Sequence, residues 1–106
     1  MVPLIPTRVH GGLDYLFALA LIASPWVFGF EDDGIAMWLP VILGIFTLFY
    51  SAMTDYEPGA IRVLPFSMHL VLDTLSGIIL VASPWVFGFA DDVWIPHVAF
   101  GVFELI

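Results

Sequence analysis

The sequence predicts an all-α protein, a four-transmembrane-helix bundle made of two parallel two-helix repeats. Three observations lead there. The segment Ser-Pro-Trp-Val-Phe-Gly-Phe occurs at 24–30 and again at 83–89. Hydrophobic residues make up 61% of the 106-residue chain and charged residues only 11%, against about 45–50% and about 25% in soluble domains. The excess lies in four apolar runs, at 13–30, 36–53, 66–89 and 93–106.

A bilayer core of about 30 Å takes about 20 apolar residues as a helix. With their flanks, the first three runs are long enough. They lack the polar stripe of a helix in a soluble bundle; residues 41–49 are broken only by Gly44 and Thr47. The first run exceeds the about 7–15 residues of a signal-peptide core, and no small-residue cleavage site follows Phe30. The fourth run rises only about 20 Å at about 1.5 Å per residue, short of a crossing. Either the natural chain continues beyond Ile106, or the last helix tilts and stops beneath the headgroups.

The two halves align at an offset of 59 residues, with 16 identities in 28 positions between 6–33 and 65–92. The expected organisation is one membrane domain, 1–106, with repeat 1 at 6–53 and repeat 2 at 65–106. Pro6 and Pro65 suit the first helical position, where a proline loses no needed donor. The acidic segments at 31–34 and 90–92 are turns, and 54–64, with Pro58-Gly59, is the linker. Two crossings per repeat make the repeats parallel, related by a pseudo-twofold axis along the membrane normal.

Arg8 and Arg62 precede the first and third helices. The positive-inside rule then puts the N-terminus, linker and C-terminus in the cytoplasm. Trp26, Trp38, Trp85 and Trp94 fall near the opposite boundary, as an interfacial aromatic belt does. His97, near the start of the fourth helix, reads as interfacial too. The net charge of −8 argues against nucleic acid as a partner. The absence of cysteine excludes disulfides and thiolate chemistry.

Pro25 and Pro84 sit late in the first and third helices. Each frees a carbonyl one turn earlier, at Leu21 and Leu80. Neighbouring serines, other helices or water can satisfy those carbonyls, and the Ser24-Pro25 and Ser83-Pro84 steps read as paired structural kinks; the alternative is that the freed carbonyls coordinate a cation or form a hinge.

The doubled Ser24-Pro25-Trp26 and Ser83-Pro84-Trp85, each in a helix pair with His and Asp upstream, resembles the SPW repeat family of small prokaryotic integral membrane proteins. The resemblance runs from Pro6 to Ile106, and the short fourth helix departs from it. It implies a four-helix, multi-pass protein of the bacterial or archaeal inner (plasma) membrane. It implies no reaction, ligand or catalytic residue.

His10 and Asp14 are four residues apart, as are His69 and Asp73, so each pair shares a helical face. That face continues through Phe17, Leu21, Ser24 and Phe28, and in repeat 2 through Ser76, Leu80, Ser83 and Phe87. Ionisable groups inside a membrane turn to the bundle interior. The axis would bring His10, Asp14, His69 and Asp73 together, with Glu104 at a similar level. Three readings compete: hydrogen bonds that fix helix register, a divalent metal site, or a proton or ion relay. No phosphate loop, nucleophile elbow or triad pattern is present, so no catalytic residue and no obligate cofactor is expected.

The leading functional expectation is a non-enzymatic structural or interaction module. It would lie in the bilayer, with a homo-oligomeric or membrane-protein partner. The alternative is a small transporter or metal-binding membrane protein built on the His/Asp cluster. An enzyme ranks last.

Overall fold

A computed structural model describes residues 5–106; the N-terminus, expected in the cytoplasm, lies outside them. The described residues form four helices and no strand: α1 (Thr7–Val27), α2 (Ile35–Ala52), α3 (Phe66–Val86) and α4 (Ile95–Leu105). An isolated bridge between Thr54 and Leu64 closes the linker. α1 packs on α2, α3 on α4, and α2 more lightly on α3.

Two helices, α2 and α3, are long and apolar enough to cross a bilayer, not four. α1 has the length, with 21 residues. However, Arg8, His10, Gly11, Gly12, Asp14 and Tyr15 dilute its first half. α4 has 11 residues and rises only about 16 Å.

Pro6 and Pro65 stand one residue before their helices rather than at the first helical position, and no side chain caps either end. In α1 and α3 the repeated heptapeptide removes one helical hydrogen bond and then ends the helix. Pro25 has no N–H for the Leu21 carbonyl. Ser24 Oγ donates to that oxygen instead, at 2.7 Å. Ser83 Oγ does the same for Leu80 at 2.8 Å. Gly29 and Gly88 both have φ of +75°, where an L side chain is strained. The next residue then folds back. Phe30 N–H donates to the Pro25 carbonyl and Phe89 N–H to the Pro84 carbonyl, both at 2.8 Å, which closes the helix end. Phe28 and Phe87, expected to continue the inward face, are exposed because the helices have already ended at Val27 and Val86.

Burial runs opposite to that of a soluble protein. Phe17, Leu21 and Leu80 form a small apolar centre, with Leu43 and Phe100 against it. Around it are buried Asp14, His69, Asp73, His97 and Glu104. The outer faces carry exposed Leu16, Leu19, Ile42, Phe46, Phe49, Val71, Leu75 and Ile78. All four tryptophans are exposed.

Candidate functional site

His10, Asp14, His69 and Asp73 meet between α1 and α3. One donor atom from each lies within 4.8 Å of all the others. His69 Nε2 is 2.8 Å from Asp14 Oδ2 and 3.1 Å from Asp73 Oδ2. His10 Nε2 is 3.3 Å from Asp14 Oδ1 and 3.4 Å from Asp73 Oδ2. Each histidine therefore pairs with the aspartate of its own helix and with that of the other. His69 is fully buried, and its side lies against Tyr50, Tyr56 and Phe66 rings.

Three groups outside the two helices hold the cluster. Tyr50 in α2 donates its hydroxyl to Asp73 Oδ1. Tyr56 in the linker donates to Asp14 Oδ2 at 3.0 Å. Thr54 Oγ1 lies 2.7 Å from His69 Nδ1. The Thr54 hydroxyl proton is already committed to the Tyr50 carbonyl at 2.6 Å. His69 Nδ1 must then carry a hydrogen and donate it to Thr54. Its Nε2 faces the carboxylates. Both oxygens sit beside that nitrogen rather than in line with it, so Nε2 has ion-pair contacts but no hydrogen bond. A bare lone pair there would be repelled; a proton or a cation relieves it.

The linker reaches the site because it folds over the start of α1. Tyr15 Oη donates to the Pro58 carbonyl at 2.9 Å. A Cβ on Gly11 would collide with the Pro58 ring. Thr7 Oγ1 donates to Glu57 at 2.7 Å. That hydrogen bond holds the exposed Glu57 carboxyl below the usual carboxylate range, helped by the backbone N–H of Glu57 and, less, by Arg8 and Arg62 nearby. Burial pushes the Tyr56 phenol well above its ordinary value.

Residues 8–106 match the family model described as SPW repeat domain. The chain belongs to the SPW repeat domain family. No curated protein and no solved structure matches it. The tryptophan of each SPW step is exposed, whereas its serine and proline are buried.

Glu104, the fifth expected site residue of this SPW chain, is 8% exposed. It shares a cavity of about 160 Å³ with His10, Asp14 and Asp73. Its Oε1 has no hydrogen-bond partner. Tyr50, Thr54 and Tyr56 were not expected at the site. The signal was faint: four hydroxyl residues in seven positions, Tyr50, Ser51, Thr54 and Tyr56, at the end of an apolar run and in a segment read as linker.

His97, read as interfacial, is enclosed by the protein. It is 1% exposed, with the Phe30 and Phe89 rings 5.1 Å and 4.8 Å away. Its Nε2 donates to the Ala36 carbonyl at 2.8 Å. Ala36 is four residues before Pro40, which has no N–H to offer. His97 thus does for α2 what Ser24 and Ser83 do for α1 and α3.

Proposed function

We propose that this chain is a non-enzymatic structural module of the prokaryotic inner membrane, built of two parallel two-helix repeats. One observation carries the reading. The His10–Asp14–His69–Asp73 cluster is paired across the two halves and is held by Tyr50, Thr54 and Tyr56, so it joins α1, α2, α3 and the linker. Such a polar knot fixes register between packed elements.

The membrane setting is supported by the apolar outer faces over a polar interior and by α2 and α3. The longest dimension is 39 Å, near the about 40–45 Å of a bilayer with its headgroups. The exposed tryptophans suit an aromatic belt. Arg62 donates to the Glu57 carbonyl, and Arg8 also lies close to Glu57. That supports one basic end, cytoplasmic by the positive-inside rule, which both termini would share. Residues 6–53 and 65–106 are then repeats about a pseudo-twofold axis along the membrane normal, and the Ser24-Pro25 and Ser83-Pro84 steps are matched kinks.

As a structural module the chain works through a second copy or another membrane protein. Crosslinking in native membranes and mass measurement in detergent test this. A homo-oligomer or a stoichiometric membrane-protein partner is expected; a monomer by both methods, with nothing copurifying, removes the reading.

The off-axis carboxylates at His69 Nε2 favour a second reading, a divalent cation or proton held by His10, Asp14, His69 and Asp73. Thr54 fixes the His69 ring as outer partners do in metal sites. Element analysis decides it: about one divalent ion per chain, lost in a His10→Ala/His69→Ala variant, is expected. Trace metal that is unchanged in that variant excludes the metal form.

A further inference from the structure

Phenylalanine rings join α1 and the residue that caps it to α4: Phe17 with Phe100 and Phe103, and Phe28 with Phe100. Beside these rings lies an apolar groove of about 460 Å³, with Ala20 and Ala99 in its walls. Its size falls within the about 300–1,000 Å³ of small-ligand pockets. Leu13, Phe17 and Phe103 line this groove and also line the cavity that contains His10, Asp14, Asp73 and Glu104. An apolar slot therefore adjoins an ionisable end.

We propose that groove and cavity together bind a lipophilic amine, its hydrocarbon chain in the groove and its ammonium against Glu104. Two independent observations select the ammonium. First, Glu104 lies in the cavity wall, is 8% exposed, and has an oxygen without a donor. A buried acceptor left unmatched is costly, and an ammonium N–H matches it with a charge-assisted bond. Second, Asp14 and Asp73 also stand in the cavity wall, with one imidazole, His10, and no lysine or arginine among its described lining residues. An anionic amphiphile would set its headgroup against those carboxyls, and a neutral one would leave the Glu104 oxygen without a charged donor.

The inference rests on the membrane reading above, because the groove opens on the apolar outer face, where an amphiphile dissolved in lipid enters without crossing water. The test uses the full chain in phosphatidylcholine nanodiscs, whose neutral surface does not itself recruit cations. Isothermal titration compares dodecylammonium, dodecanol and dodecyl sulfate. Dodecylammonium is expected to saturate at one per chain, about tenfold tighter than dodecanol, as a charge-assisted hydrogen bond predicts. Dodecyl sulfate is expected to give no saturable binding. Glu104→Gln should weaken the amine about tenfold. Ala20→Trp should block it, since Ala20 is an exposed small residue in the groove wall and the change disturbs no buried side chain. Equal uptake of the three probes, or unchanged amine binding in both variants, overturns the inference. Chain that is stripped from membranes by alkaline carbonate defeats the membrane reading and this inference with it. Chain that stays embedded yet binds no amine defeats this inference alone.

Discussion

His97 Nε2 lies 2.8 Å from the carbonyl oxygen of Ala36, the oxygen that Pro40 cannot serve. The contact joins α4 to α2 across 61 residues. Removing it with His97→Ala leaves a buried acceptor unmatched and should cost about 1–3 kcal/mol in thermal or denaturant unfolding. In a Pro40→Ala background the restored backbone N–H can serve Ala36, so the same substitution should cost distinctly less. Equal losses in both backgrounds would show that His97 acts through packing alone.

Asp73 is engaged by Tyr50, His10 and His69, and it is the more deeply buried of the two aspartates. Breaking a buried pair by neutralising one member costs about 3–5 kcal/mol, and Asp73→Asn should fall there. Tyr50→Phe and Asp73→Asn should couple by about 0.5–3 kcal/mol in a double-mutant cycle. Asp55→Asn, at an exposed position, should stay within about 0.5 kcal/mol of the parent.

Close helix approach depends on two glycines. A Cβ at Gly44 would sit 2.8 Å from the Ala18 carbonyl oxygen, and one at Gly101 would sit 2.7 Å from that of Gly77. Backbone oxygens cannot step aside, so Gly44→Ala and Gly101→Ala should each destabilise by about 1–3 kcal/mol. Gly12 has open space, and Gly12→Ala should stabilise by up to about 1 kcal/mol through helix propensity. Unfolding midpoints of the three variants give the comparison.

Much of this was legible in the sequence because it is local. The apolar runs mark the helices, and four-residue spacing puts His10 with Asp14 and His69 with Asp73. The serine before each proline was one of the partners open to the carbonyl that the proline frees, and the structure selects it. What was hidden depends on partners far away. Nothing near His97 reveals that Pro40 needs a donor. Tyr56 reads as a linker residue until Pro58 packs on Gly11 and brings it to Asp14. Run length also overstated α1, since His10, Asp14 and Tyr15 in its first half turn to polar partners within the protein.

Glu57 offers a pH test in the linker. Its carboxyl is held below the ordinary carboxylate range chiefly by the Thr7 hydroxyl. A lowered carboxylate pKa stabilises the fold above the ordinary range, and that contribution disappears as pH falls through the lowered value. Thr7→Val should return the Glu57 titration toward the ordinary range, followed by side-chain carboxyl carbon shifts in NMR. A titration that does not move would show that the backbone N–H of Glu57 and the two arginines set it instead.

Thr54 and Tyr56 belong to the segment that separates the two halves, yet both are spent on the cluster. Asp14 needs His69, and Asp73 needs His10, each from the opposite half. Neither half is thus a self-sufficient unit, for all the likeness of their sequences. Severed at the linker, each would carry an imidazole and a carboxylate to an interior that its own two helices cannot complete. The heptapeptide is written twice, but the polar interior it frames exists only once.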